Sequence, residues 1–384
     1  MLKRISEKRG LPSLFRQFEK GWRSPLFLLI VVSASAVWAD SAKLDWVERI
    51  YGDGRHNAFT DLVQWNGAYY VCFRHAESHM SLDGQIRVMR SADFHTWEPC
   101  GTIDTAGDDR DPHLTPAGDR LYVFFGTWDI IHQPGNKLPD RAAVRSYCAS
   151  TADGSTWSKI NATYDPGWWL WRVSYHDGNG QDGRRQDGRF YSAAYTAIRP
   201  TPPARETRLL QSPDGINWTL VSTVTRDRSA GEADMFFEPD GSIWLISRTG
   251  DQSGGAMFSR SDTTRANWTA ADLGVLVHSP VIAQWKDRFF LAGRGRDGEK
   301  YVTRIWEMLN PHGAPETVQL REIITLPSEG DNAYPGLLID PASLKAESPA
   351  FFVTWYSQHE REQVGGGKNA ASIYAARVSV SPSP

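Results

Sequence analysis

Three cysteines in 384 residues are too few, and an odd number, for a fully paired disulfide framework. Cys72, Cys100 and Cys148 each fall in or beside an apparent strand, which makes them small buried hydrophobes with at most one disulfide among them. Long apolar runs are missing as well. The best candidate, PLFLLIVVS at 25–33, falls short of the roughly 20 residues that a spanning helix needs. There is no basic stripe, and 42 Lys+Arg stand against 45 Asp+Glu, which argues against a nucleic-acid partner. Helical periodicity is almost absent, and no Pro/Ser-rich linker divides the chain.

What is present begins with a leader. Residues 1–24 carry seven Lys/Arg and two Glu, the short apolar run follows, and Ala-Val-Trp-Ala39 precedes Asp40. That order predicts a signal peptide over 1–39 and export to the periplasm or the exterior after cleavage near Ala39. Without the leader's +5, the formal charge of −3 becomes −8, mildly acidic. Residues 40–384 read as a single domain, and 12% aromatics allow a large core.

A short phrase recurs: SADFHTW at 91–97, TADGSTW at 151–157 and SPDGINW at 212–218. The tryptophans are 60 and then 61 residues apart, and a frayed copy ending at Trp268 follows 50 residues later. Such a repeat, closing on a hydroxyl/acid/glycine turn and an aromatic plug, predicts one antiparallel sheet per repeat and so a β-propeller. The Asp is suited to bonding its own turn backbone, and the Trp to packing between sheets, so these turns read as structural.

The whole of 40–384 lays out as six units of about 55 residues: a first strand, a tight turn, an aromatic second strand, a third strand, and an outer strand after the Trp turn. Second strands read AYYVCFR (68–74), RLYVFFGTW (120–128), RFYSAAYT (189–196), SIWLISRT (242–249), RFFLAGRGR (288–296) and AFFVTWYSQ (350–358). Asn66-Gly67, Gly118-Asp119, Asp187-Gly188, Asp240-Gly241 and Lys286-Asp287 precede the first five. The expectation is an all-β, six-bladed propeller of four-stranded antiparallel sheets, with five blades plus an appended sheet as the rival.

In a propeller the first strands line the axis, and their leading ends converge at one mouth. Those ends carry Arg55-His56-Asn57 and Asp61, Arg110-Asp111-Pro112-His113, Trp171-Arg172, Glu232 and Asp234, His278-Ser279, and Asp331-Asn332 with Tyr334. Second strands add Arg74, Arg248, Arg294 and Arg296 at their inner ends. Folding needs none of these charges, and buried charge is costly unless paired. Their convergence points to a polar, anionic or sugar-like ligand. Individual members could equally pair with one another across the axis.

The recurring phrase resembles the Asp-box of sialidases. That resemblance implies a six-bladed glycosidase holding a substrate carboxylate with three arginines. It implies Tyr334 as nucleophile, Glu232 as its base, and Arg55, Arg248 and Arg294 as the clamp; Arg74 and Arg110, from their place at the mouth, are expected as further substrate contacts. The motif expected around the first arginine is replaced by His56-Asn57-Ala58-Phe59. The loop expected to carry an acid/base Asp is 75–83 here, with Glu77, His79 and Asp83.

Arg110-Asp111-Pro112 also resembles an element of five-bladed furanosidases, which implies an acid trio of Asp61, Asp111 and Glu232. A third class is a non-catalytic carbohydrate-binding propeller, for which Trp168-Trp169-Leu170-Trp171 would serve as a stacking surface or simply as core. His56, His113 and His278 recur at unit entries, without diagnostic metal-ligand spacing. No metal or cofactor is expected. The expected partner is a glycan or oligosaccharide, with no membrane contact beyond the export signal, and the expected state is a monomer.

Overall fold

The computed structural model describes residues 41–131, 140–177, 188–196, 206–226, 228, 230–250 and 254–381. The leader expected over 1–39 and Asp187 of one hairpin turn lie outside the described residues.

Six four-stranded antiparallel sheets follow one another along the chain. An opening strand β1 (Ser41–Tyr51) precedes the first sheet, β2 (His56–Trp65), β3 (Ala68–Ala76), β4 (Gln85–Ser91) and β5 (Glu98–Ile103). The second comprises β6 (Asp108–Ala117), β7 (Arg120–Ile131), β8 (Asp140–Thr151) and β9 (Asn161–Thr163). The third is β10 (Trp168–His176), β11 (Arg189–Thr196), β12 (Thr207–Ser212) and β13 (Thr219–Thr225). The fourth is β14 (Ala233–Phe237), β15 (Ile243–Ser247), β16 (Met257–Ser261) and β17 (Trp268–Asp272). The fifth is β18 (His278–Trp285), β19 (Arg288–Asp297), β20 (Lys300–Leu309) and β21 (Gln319–Leu326), and the sixth holds β22 (Ala333–Ile339), β23 (Ala350–Ser357) and β24 (Ser372–Ser381). Each first strand touches the first strand of the next sheet, and β22 returns to β2, so the ring closes. This is the six-bladed propeller.

Two units depart from the expected plan. The sixth blade takes its outer strand from the start of the chain: β1 pairs with β24 from Ser41↔Ser381 to Tyr51↔Ile373. Pairing the two ends of the chain covers an exposed sheet edge and joins the last blade to the first. In the fifth blade a 3-10 turn at Pro315–Thr317, not a Trp turn, leads to β21.

The repeated turns connect third to fourth strands in blades one to four. In each of the first three, one Asp oxygen accepts the backbone N–H groups two and three residues on, at 2.7–2.9 Å. The following position is left-handed: Gly154 and Gly215 sit at φ 79° and 78°, and Phe94 takes the same place at 66°. Packing offsets that strain, since Phe94 is fully buried and stacks on Phe352 of the sixth blade at 4.2 Å. Trp157 donates from its indole to the Cys100 carbonyl of the preceding blade at 3.1 Å.

Aromatic second strands supply the core between blades. Phe290 and Ile305 of the fifth blade, for example, pack with Leu337, Phe351 and Val353 of the sixth. Each such side chain, fully buried, contributes about 1.5–3 kcal/mol. All three cysteines are free. Trp169 and Trp171 are core aromatics rather than a sugar platform.

The feature that builds the mouth is an irregularity repeated in the inner strands. The ladder slips between Ala58 and Asp61, Arg110 and His113, Leu170 and Val173, His278 and Val281, and Ala333 and Gly336. At four of these bulges a non-glycine residue is left-handed: Phe59 (φ 61°), Asp111 (48°), Ser279 (49°) and Tyr334 (49°). Bulges re-aim side chains, and backbone strain of about 1–3 kcal/mol per residue clusters where it serves function.

Candidate active site

Glu232 and Arg248 face each other across the hairpin of the fourth blade. The Arg248 N–H donates to the Glu232 carbonyl at 2.8 Å, which sets their side chains side by side. Arg248 Nη1 donates to Glu232 Oε1 at 2.5 Å. The same oxygen accepts the Tyr334 hydroxyl at 3.0 Å, from the sixth blade. Glu232 Oε2 accepts the Ser279 N–H and hydroxyl at 3.0 and 2.9 Å. Burial alone would raise the Glu232 carboxyl. Arg248, His278 and these donors overcome it and hold the group at about 2. Burial, with the charges of Glu232 and Asp111, raises the Tyr334 phenol above its usual range. The proton therefore rests on Tyr334.

Tyr334 is held on every side. Thr60 donates to its carbonyl at 2.6 Å. Phe59, Trp171 and Tyr356 surround its ring at 4.8, 5.8 and 6.0 Å between centroids. The Arg294 guanidinium lies 5.5 Å from the ring centroid. It is anchored by the Asn332 carbonyl, Asp331 and the Tyr356 hydroxyl at 2.5–3.0 Å.

The expected cations separate into two groups. Arg248 and Arg294 stand beside Tyr334, and the charge of Arg110 also reaches it. Arg110 lies 4.9 Å from the Phe59 ring centroid and bonds Asp108 and the His79 carbonyl at 2.9 and 2.5 Å. Arg55 instead pairs with Asp83 and is partly exposed. Arg74, expected to meet substrate, does not. It is completely buried, and its donors are committed to Asp108 (2.7 Å), His56 (3.3 Å) and the Ser78 carbonyl (2.8 Å).

The acids separate in the same way. Asp111 sits at the second-blade bulge, 8% exposed, with Oδ1 lacking a hydrogen-bond partner among the described residues. Burial pushes its carboxyl up to about 7, with Glu232 adding to the rise and Arg110 opposing it. Asp61 is fully engaged: Oδ1 holds Arg172 at 2.5 Å and Oδ2 accepts the Leu114 N–H at 2.8 Å. Burial would raise Asp61, but Arg172 and His113 draw it down to about 2. It belongs to a polar cavity of about 130 Å³ further along the same strands, lined also by His113, Arg172 and Asp234. Both oxygens of Asp61 are thus committed to partners within the protein.

His56, His79 and Asp331 present three ligand-type atoms within 4.8 Å of one another. Hydrogen bonding accounts for them better than a metal does. Arginine only donates, so Arg74 makes His56 Nδ1 an acceptor and leaves the ring proton on Nε2, where it meets Asp331 Oδ2 at 3.0 Å. That tautomer has no lone pair to offer a cation there. Burial, then the charge of Arg74, lowers His56 to about 4 despite Asp331.

The sequence alone did not locate Asp108, which bridges Arg74 and Arg110, or Tyr356 and Phe59 around the tyrosine. The bulges did leave a signal. Pro112, Pro280 and Pro335 each follow a left-handed residue inside an inner strand, and proline in a paired strand marks a bulge.

No protein-family model matches the sequence, and no curated protein matches it. Solved structures do match in fold. A protein of unknown function from Dyadobacter fermentans superposes with a TM-score of 0.68 at 20% identity, over 88% of this chain and 99% of that one. Trypanosoma rangeli sialidase in complex with sialic acid superposes with a TM-score of 0.55 at 13% identity, over 88% of this chain and 57% of that one. The same sialidase as a covalent intermediate with 2,3-difluorosialic acid gives 0.56 at 13% identity, over 87% of this chain and 59% of that one. This chain thus spans little more than half the length of the trypanosomal sialidase, and the likeness is one of fold.

Proposed function

We propose that this protein is an exported glycoside hydrolase that removes a terminal acidic sugar from glycans, with Tyr334 as nucleophile and Glu232 as its base. The observation that carries the reading is the 3.0 Å bond from the Tyr334 hydroxyl to Glu232, with Arg248 on the same carboxylate oxygen. A tyrosine is a weak nucleophile near neutral pH unless a contacting base takes its proton. An uncharged nucleophile also avoids repulsion from an anionic sugar. A trypanosomal sialidase of the same fold, captured with sialic acid and as a covalent intermediate, supports a covalent route on an acidic sugar. The repeated turns, read as Asp-boxes, agree with it.

Arg248 has two roles in this reading. It holds Glu232 ionised and weakly basic. An incoming carboxylate competes for the same guanidinium fork, and each hydrogen bond withdrawn from Glu232 makes it a stronger base. Deprotonation of Tyr334 is thereby tied to the presence of an anionic substrate. Arg294, over the tyrosine ring, and Arg110 complete the positive wall.

The test is a screen of the protein against chromogenic sialosides, uronides and arabinofuranosides, followed by Tyr334→Phe. Hydrolysis of an acidic glycoside is expected, and the variant should fold normally with kcat reduced by at least about 10³-fold. Arabinofuranoside hydrolysis that survives Tyr334→Phe would instead place the chemistry on carboxylates. Asp61, held by Arg172 and the Leu114 amide, is a poor candidate for that alternative.

A further inference from the structure

Hydrolysis at Tyr334 also needs a group that protonates the departing oxygen and later takes a proton from water. This inference rests on the reading above. Three titratable groups near the mouth deserve comparison. His278 is buried, and burial with the charge of Arg248 lowers it to about 3, so it carries no proton to give. Asp111 is nine-tenths buried. An exo-acting hydrolase releases its leaving group toward solvent, which a donor only 8% exposed reaches less readily than an exposed one. His79 is different: its side chain is 52% exposed, on the loop over the first blade.

The loop carrying His79 is fixed rather than free. Arg74 holds the Ser78 carbonyl at 2.8 Å, and Arg110 holds the His79 carbonyl at 2.5 Å. The Gly84 carbonyl accepts the Asp109 N–H at 3.1 Å. A Cβ at Gly84 would lie 2.1 Å from Asp108 Oδ1 and 2.9 Å from Arg74 Nε, so the loop end presses directly on that buried ion pair. The buried arginine that misses the substrate therefore shapes the loop above it.

The imidazole is oriented as well. His79 Nδ1 lies 2.7 Å from Asp331 Oδ2, and Nε2 lies 3.4 Å from Arg110 Nη2. Arginine only donates, so in the neutral ring Nδ1 keeps the proton toward Asp331 and Nε2 offers its lone pair beside Arg110. Its ring lies 5.5 Å from Phe59, and Phe59 lies 4.8 Å from the Tyr334 ring. Asp331 is itself held by His56, Arg294 and the Tyr356 hydroxyl at 2.7–3.0 Å, and its backbone N–H by Gln358 at 2.9 Å. It also lies three residues before Tyr334, so one short segment places both groups.

We propose that His79, oriented by Asp331, is the general acid and base of this site. In the first half-reaction Tyr334 Oη bonds the anomeric carbon and its proton passes to Glu232. The bond to the leaving oxygen breaks, its electron pair stays on that oxygen, and the Nε2 proton of the His79 imidazolium moves there, leaving the neutral ring. In the second half-reaction water bonds the anomeric carbon and gives a proton to His79 Nε2. Tyr334 departs and recovers its proton from Glu232. Asp331 is a positioning residue: its carboxylate, 2.7 Å from Nδ1, fixes the ring. The groups facing the ring are Asp331, His56 and Arg110, with Arg294 behind Asp331.

The experiment compares leaving groups. For the acidic sugar that the wild type cleaves, the probes are its 4-methylumbelliferyl glycoside and the corresponding unactivated oligosaccharide, sialyllactose if the sugar is sialic acid. His79→Ala should lose about 10²–10⁴-fold on the oligosaccharide, the usual contribution of a general acid, and less than about 10-fold in the glycosylation of the activated glycoside. Asp331→Asn should show the same leaving-group split, with a larger loss on the oligosaccharide than on the activated glycoside, because the ring is no longer fixed. Equal losses of His79→Ala on both probes, or the leaving-group signature appearing in Asp111→Asn instead, overturn the proposal while Tyr334→Phe remains inactive. A wild type that hydrolyses no acidic glycoside, or an active Tyr334→Phe, overturns the parent reading and this one with it.

Discussion

The outer turns and the central mouth both carry aspartates and aromatic rings, and they satisfy them in opposite ways. Asp93, Asp153 and Asp214 find backbone donors two and three residues along the chain. At the mouth, the partners of Glu232 lie 16, 47 and 102 residues away, on three further elements. Asp331 reaches across 252 and 275 residues to its two histidines. A carboxylate served by its own turn is complete once that turn forms, and it stabilises one blade. A carboxylate served by other blades exists as a site only after the ring closes, and its donors are then fixed in place before any ligand arrives. That difference divides structure from chemistry here.

The strongest way to break the comparison is one chemical change made in both regions. Glu232→Gln should reduce kcat by at least about 10³-fold, because the amide cannot receive the tyrosine proton. Folding should survive, since Arg248 is nearly one-third exposed and retains water. Asp153→Asn should leave kcat and KM at wild-type values and alter only thermal unfolding. Steady-state kinetics with a melting curve on each variant would decide it. An inactive but folded Asp153→Asn would mean that the rim is part of the chemistry.

A middle-sized effect tests the rim alone. Trp157 is half-buried rather than fully buried, packs over Gly101, and gives its indole proton to the Cys100 carbonyl. Trp157→Ala should therefore cost about 2–3 kcal/mol, below the usual range for a fully buried tryptophan. Denaturant unfolding measures this. The kcat of the folded fraction should not move.

The same division explains what could be read from the chain before its fold was known. The turns, the six second strands and the Glu232–Arg248 pair follow from neighbours in sequence: a turn closes on itself, and a hairpin fixes which residues face each other. Tyr334 was reached through the turns' resemblance to sialidases. The fate of Arg74 was not legible, because the loop it buries itself under and Asp108 are assembled by two different blades. The pairing of His79 with Asp331 was hidden for the same reason. Nothing in the sequence places Arg172 against Asp61. The N-terminal strand could not be assigned to the sixth blade, because its register is set by a partner at the other end of the chain.

The smallest effect sharpens the comparison through pH. Asp214, at the rim, is held below its usual range: burial works against this, but the Asn217 and Ile216 N–H groups and the Asn217 and Ser212 side chains prevail. A lowered folded value means that the unfolded chain binds more protons near pH 3–4. Its stabilisation is present above about 4 and is lost as pH falls. Asp111, at the mouth, is raised to about 7 by burial, so the folded state binds the extra proton. Its contribution has the opposite sign: it is complete below about 4 and is lost as pH rises through 7. Melting temperatures between pH 3 and 8 should then separate two single variants. Asp214→Asn should flatten the acid side of the profile, below about pH 4. Asp111→Asn should remove a decline between about 4 and 7 and raise the melting temperature over the wild type at pH 7 by a few degrees. If both variants flatten the same limb, the mouth carboxyl is ionised like the rim one, and the two regions differ in reach but not in charge.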